Sequence, residues 1–100
     1  MPTKAFVIVA SFHATAGKAD ALEARLLQLV PLTRAESGCV QYDLHRDLLD
    51  PRDFLFYEIW ASREAWDAHM ETPHIAALKA EIGDYLDAPQ RLWQMKQIEP

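Results

Sequence analysis

Two segments of this chain are apolar on both faces when they are set out as β-strands, and this feature restricts the fold most. Residues 4–13 carry Phe6, Ile8, Ala10 and Phe12 on one face and Val7 and Val9 on the other. Residues 54–60 carry Phe56, Glu58 and Trp60 on one face and Leu55, Tyr57 and Ile59 on the other. Strands of this composition are covered on both sides. Both segments are therefore predicted to lie in the middle of a sheet.

Helical spacing predicts two helical regions between the strands. Apolar residues recur at intervals of three, four and seven between Gly17 and Gly38, which predicts a helix with a kink or an early end at Pro31. Ser62 is predicted to cap a short helix with Trp66, His69 and Met70 on one face. The pair Thr72-Pro73 is typical of a cap followed by the first helical residue, so a further helix begins there.

The remaining segments predict two more strands and a single domain. One strand is predicted over residues 39–46, with Val40, Tyr42 and Leu44 on one face, and another over residues 91–98. The resulting order, β-α-β-β-α-β with the second helix broken in two, predicts an α+β ferredoxin-like antiparallel sheet with helices on one face. The 100 residues fit one domain, 1–100.

The sheet face that the helices leave uncovered predicts a homodimer. Half of the residues are hydrophobic (50%), which is generous for so small a domain. We therefore expect the uncovered sheet faces of two copies to pack together.

Charge and motif content exclude several other classes of protein. The net charge is −5 and the basic residues are dispersed, so nucleic acid is not an expected partner. No apolar run approaches membrane-spanning length. The single cysteine, Cys39, cannot form an internal disulfide, which favours a cytoplasmic location. The three glycines are too scattered for a phosphate-binding or dinucleotide-binding loop.

The four histidines do not have the spacing of a known metal motif. His69 and His74 are separated by the Thr72-Pro73 break, so a shared metal ion is geometrically possible but not specified. The sequence therefore predicts no metal site.

One group of residues is a candidate site for chemistry. Strand parity and helix spacing place Glu58, Trp60, Trp66 and His69 around one apolar cleft, with His74 at its mouth. A carboxyl group in such surroundings has a raised pKa and suits general-base catalysis. Structural roles are the alternative: a hydrogen-bonded Glu58, core tryptophans, hydrogen-bonded histidines, and a core tyrosine at Tyr42.

Three sequence blocks resemble the antibiotic-biosynthesis monooxygenase family, and within it the small quinol-monooxygenase-like proteins. They are E-x-G-x-x-x-Y from Glu36, Y-E-x-W from Tyr57, and H-x-x-T-P-H from His69. The resemblance implies a dimeric α+β barrel and oxygen insertion without flavin, haem or metal, hence no cofactor. Trp60 and Trp66 match aromatic positions near the substrate. Some of these enzymes carry an asparagine where this chain has Phe56.

Together these observations predict a cofactor-independent monooxygenase of a small hydroquinone-like or polycyclic phenolic substrate. The candidate catalytic residues are Glu58, His69 and His74, and the candidate substrate contacts are Tyr42, Phe56, Trp60 and Trp66. An isomerase of a small phosphorylated signalling sugar is one alternative, although Arg46, Arg52 and Lys79 do not form an evident phosphate-binding cluster. Haem degradation with a histidine ligand and a non-catalytic dimeric ligand-binding module are the others.

Overall fold

The computed structural model describes residues 6–100. Its elements in chain order are β1 (Phe6–His13), α1 (Ala19–Leu27), α2 (Leu29–Arg34), β2 (Cys39–Arg46), β3 (Asp53–Trp60), α3 (Arg63–Met70), α4 (Pro73–Glu81) and β4 (Arg91–Lys96). A 3-10 turn, Ile82–Tyr85, follows α4 directly. The predicted first strand began at Lys4, which with Ala5 lies outside the described residues.

The four strands form one antiparallel sheet in the order β2-β3-β1-β4. The two-sided strands β1 and β3 occupy its centre, where Ile8 pairs with Glu58, and β4 continues the sheet on the other side of β1. This is the split β-α-β arrangement, so the predicted α+β ferredoxin-like fold is confirmed.

The hydrophobic core lies between one face of the sheet and the helices. Its buried members include Ile8, Ala10, Phe12, Tyr42, Phe54, Phe56 and Trp60 from the sheet and Leu22, Leu26, Leu29, Trp66, Ile75 and Leu78 from the helices. The opposite sheet face carries half-buried Val9, Leu55, Tyr57, Ile59 and Trp93 and exposed Met95. Helices therefore cover one face only, as predicted.

A β-bulge corrects the predicted side-chain pattern of β2. The pairing steps from Cys39 opposite Trp60 to Gln41 opposite Ile59, so Val40 has no partner in the ladder and is 65% exposed. Before this extra residue, side chains at odd and even positions therefore exchange the sheet faces to which they point. Cys39, not Val40, therefore shares the helix-covered face with Tyr42.

The first helical region breaks earlier than Pro31 suggested. Helix α1 ends at Leu27 and α2 begins at Leu29, with Gln28 between them. Proline has no N–H to donate to the carbonyl four residues before it, and its ring clashes with that carbonyl, which here belongs to Leu27. The break therefore falls one turn ahead of the proline that causes it.

Two side-chain caps fix the start of the helices that cover the site. The Ser62 hydroxyl accepts a hydrogen bond from the Ala65 amide at 3.1 Å, and the Thr72 hydroxyl accepts one from Ile75 at 3.4 Å. Both caps confirm the sequence prediction. Among residues 6–100, no helix is long and apolar enough to cross a membrane.

Candidate active site

A small cavity of about 80 Å³ lies between the covered face of the sheet and the helices. Its wall is mostly apolar, and its polar or aromatic members include Tyr42, Phe56, Glu58, Trp66 and His69. Five of the seven candidate site residues therefore line one space. A broader groove of about 820 Å³ lies beside the β2–β3 connection, which carries the exposed Leu48 and Leu49, but contains none of the candidates.

Glu58 is the buried carboxyl group of the cavity. It points to the helix-covered face of β3, is 4% exposed, and accepts a hydrogen bond at Oε1 from Trp60 Nε1 at 2.9 Å. Burial, opposed in part by the Trp60 hydrogen bond and assisted by the Glu36 charge, raises the pKa of Glu58 to about 7. At neutral pH this carboxyl group can therefore both take up and release a proton.

His69 is hydrogen-bonded to a second carboxylate, that of Glu36. Its Nδ1 donates to Oε2 of Glu36 at 2.8 Å, and the Trp60 ring lies beside the imidazole with centroids 4.6 Å apart. Burial lowers the pKa of His69, with the Glu36 hydrogen bond acting in the opposite direction, so the ring is neutral at pH 7.

The other ring nitrogen of His69 is available to the cavity. No group among residues 6–100 bonds Nε2 of His69. Within these residues, no fully buried side-chain nitrogen or oxygen lacks a hydrogen-bond partner. Because Nε2 has no partner, it is therefore not fully buried. His69 lines the cavity, and Nε2 is its ring nitrogen that does not contact Glu36.

Glu36 and His74 complete a polar cluster on the far side of His69. Nε2 of His74 lies 2.8 Å from the same Oε2 of Glu36 that His69 contacts. The hydroxyl oxygens of Thr33 and Thr72 lie 3.3 and 3.4 Å from that nitrogen. Glu36 is not among the site residues that the sequence predicts, and its place in the E-x-G-x-x-x-Y block is the one sequence feature that points to it.

The aromatic candidates take two different positions. Tyr42 stacks on Phe56 with centroids 4.5 Å apart, and burial raises the pKa of Tyr42 well above its usual range. Trp66 closes the cavity from α3. Trp60 is fully buried and contacts both Glu58 and His69, but it does not line the cavity. His74 does not line the cavity either. Trp60 therefore holds the polar side chains in place through its N–H and its ring face.

The family comparison matches most of this chain. Residues 5–81 match the model of a family described as antibiotic biosynthesis monooxygenase. The chain belongs to the antibiotic biosynthesis monooxygenase family. The matched region includes all seven candidate residues and Glu36, whereas β4 lies beyond it.

Individual proteins are similar to this chain over most of its length. Rv0793 of Mycobacterium tuberculosis is 33% identical over 87 residues, which cover 87% of this chain and 85% of that protein. Its solved structure superposes with a TM-score of 0.89 over 96% of this chain and 97% of Rv0793, at 29% identity. The crystal structure of PA3566 from Pseudomonas aeruginosa gives a TM-score of 0.91 at 32% identity, covering 97% of each chain.

Proposed function

We propose that this protein is a monooxygenase that oxidises a small hydroquinone-like or phenolic compound with O2, and that Glu58 is the base. The observation that carries the proposal is a buried carboxyl group with a pKa of about 7 in the wall of an apolar cavity. Membership of the antibiotic biosynthesis monooxygenase family supports the reaction class.

The chemistry requires an anion, which Glu58 is suited to generate. Ground-state O2 reacts readily with an electron-rich anion and poorly with a neutral phenol. Glu58 in its ionised form takes the hydroxyl proton of the substrate. A pKa near the working pH gives the best compromise between the fraction of Glu58 that is ionised and the strength of the carboxylate as a base. One oxygen atom then enters the substrate and the other leaves as water, with the substrate itself supplying the electrons.

Other cavity residues orient the substrate. The free Nε2 of His69 accepts a hydrogen bond from a substrate hydroxyl, and Glu36 holds the ring in the tautomer that leaves Nε2 unprotonated. Tyr42, Phe56 and Trp66 provide aromatic walls that exclude water from the anion. His74 acts from the second layer, through Glu36.

The size of the cavity favours a small substrate. An apolar cavity of about 150 Å³ in another protein binds benzene, and this one measures about 80 Å³. A single-ring hydroquinone therefore requires modest movement of the cavity side chains, whereas a polycyclic phenol requires much more. We infer that single-ring substrates are preferred.

Basic residues do not favour the phosphorylated-sugar alternative. Lys79 lines the cavity, but Arg46 bonds Asp20 and Glu23, and Arg52 bonds Asp87, all away from it. One lysine does not form the convergent cluster that recognition of a phosphate group requires.

We also propose that the protein is a cytoplasmic homodimer whose uncovered sheet faces pack together. The half-buried aromatic and aliphatic side chains of that face, with exposed Met95, support the interface. Light scattering at micromolar concentration is expected to give the mass of two chains. A stable monomer would contradict this interface.

Oxygen uptake tests the proposed reaction. Chelator-treated protein is mixed with single-ring hydroquinones and with anthrones, and Glu58→Gln is compared with Glu64→Gln, which changes an exposed carboxylate on α3. We expect wild type and Glu64→Gln to consume O2 above the buffer rate and Glu58→Gln to be at least about 100-fold slower. Equal rates for Glu58→Gln and wild type would remove Glu58 from its role. If wild type matches buffer but the compounds quench tryptophan fluorescence saturably, the ligand-binding module replaces the enzyme.

A further inference from the structure

We propose that Glu36, His69 and His74 form a binding site for one divalent transition-metal ion of the zinc class. Nδ1 of His69, Nε2 of His74 and a carboxylate oxygen of Glu36 all lie within 4.8 Å of one another. Two imidazole nitrogens and one carboxylate oxygen are a ligand set that proteins use for zinc and for neighbouring first-row metals.

The separations of the ligand atoms suit a common ion. Two ligands that each stand about 2.1 Å from one tetrahedral ion are about 3.4 Å apart. Oε2 of Glu36 lies 2.8 Å from Nδ1 of His69 and 2.8 Å from Nε2 of His74. The ligands therefore need to separate by about 0.6 Å to admit the ion.

The surroundings hold these ligands in place. They come from three different parts of the fold: the α2–β2 connection, α3 and the first turn of α4. The Thr72 hydroxyl donates to the backbone oxygen of His69 at 2.8 Å and caps α4, so one side chain links both histidine-bearing helices. Thr33, fully buried, stands next to His74. Such outer contacts orient metal ligands and raise affinity.

Burial distinguishes this site from a second group of potential ligands. The side chains of Glu36, His69 and His74 are 14%, 3% and 15% exposed. The other group combines His13 with Asp50 and Asp53, whose side chains are 43% and 49% exposed, and Nδ1 of His13 is bonded to Asp87. That group supplies one histidine and solvated carboxylates, so it serves as the control.

Metal binding would change what His69 presents to the cavity, a consequence that rests on the proposed function. The ion would bind at Nδ1, the ring nitrogen that contacts Glu36, and the other two ligands, Glu36 and His74, do not line the cavity. A neutral imidazole that binds metal through Nδ1 carries its proton on Nε2. His69 would then donate a hydrogen bond to the substrate oxygen instead of accepting one, which stabilises the anion that Glu58 generates.

Calorimetric titration with zinc tests the site without reference to turnover. Untagged, chelator-treated protein is titrated with Zn²⁺, and cobalt substitution gives a visible spectrum that reports the ligand set. Wild type and His13→Gln are expected to bind one equivalent per chain. Glu36→Gln and His74→Gln are expected to bind more than about 100-fold more weakly, because each lacks a direct ligand. Circular dichroism verifies that every variant is folded.

Two results would overturn the proposal. One is the absence of one-equivalent binding by wild type at a Zn²⁺ concentration of about 100 μM. The other is equal affinity in wild type and in folded His74→Gln. Neither result bears on oxygen uptake, so failure of the metal site and failure of the monooxygenase proposal are distinguished.

Discussion

Replacing Glu58 by glutamine is expected to stabilise the protein at alkaline pH and to have little effect near pH 4. In the folded chain the pKa of Glu58 rises from an ordinary value of 4.5 to about 7 because the carboxyl group is buried. Below pH 4.5 the group is protonated in both the folded and unfolded states. As the pH rises towards 7, the unfolded chain releases the proton first, so wild type loses stability progressively.

The magnitude follows from the same shift. A tenfold change in proton affinity is worth about 1.4 kcal/mol, so the rise from 4.5 to about 7 corresponds to about 3 kcal/mol. Most of this loss accumulates between pH 5 and pH 8. Glutamine has no charge to bury and keeps a side-chain oxygen for the Trp60 N–H, so Glu58→Gln avoids the loss without removing that hydrogen bond.

Urea unfolding followed by tryptophan fluorescence measures the effect. Wild type, Glu58→Gln and Glu64→Gln are unfolded at several pH values between 5 and 8, at one fixed protein concentration because dimer formation adds to stability. The free-energy advantage of Glu58→Gln over wild type should grow with pH, while that of Glu64→Gln stays flat. An advantage that is constant to within about 0.5 kcal/mol would refute the buried, high-pKa description of Glu58.

Three further substitutions test separate features. Gly38→Ala should lower the free energy of unfolding by at least about 1 kcal/mol more than Gly17→Ala does, as measured by urea unfolding. Both glycines have positive φ (88° and 85°), but only at Gly38 would a Cβ stand 2.6 Å from Ala65 Cβ. Equal losses of stability would contradict this clash. Thr72→Ala should lower stability by about 1 kcal/mol through loss of the α4 cap, and Thr72→Ser should restore most of it; a serine variant as unstable as the alanine one would count against the cap. Trp60→Phe should raise the pKa of Glu58 further, because among residues 6–100 the Trp60 N–H is the only hydrogen-bond donor to that carboxylate. The pKa is measured by ¹³C NMR titration, and an unchanged midpoint would show that the bond has no effect on it.

Local patterns were sufficient to predict most of the scaffold. The predicted bounds of β2 coincide with the observed strand, and β3 differs by one residue, because alternation and turn residues act over a few positions. Parity along β3 and spacing along α3 also brought Glu58, Trp66 and His69 to one side of the sheet, where they line one cavity.

The polar cluster depends on packing that no local pattern reports. Glu36 is 33 residues from His69 and 38 from His74, and the contact requires the α2–β2 connection to pack against two helices at once. The Val40 bulge escaped prediction for a similar reason, since one extra residue in a strand has no compositional signature.

That bulge determines where this strand can vary in length. Cys39 and Tyr42 share a face although they are three positions apart, because Val40 stands outside the ladder. Without Val40 they would be two positions apart and would still share a face, since side chains alternate with a period of two. Loss of a residue between Tyr42 and Arg46 would instead move the side chains at one end of the strand to the opposite face of the sheet. When this chain is aligned with shorter relatives, a one-residue gap in β2 belongs at Val40.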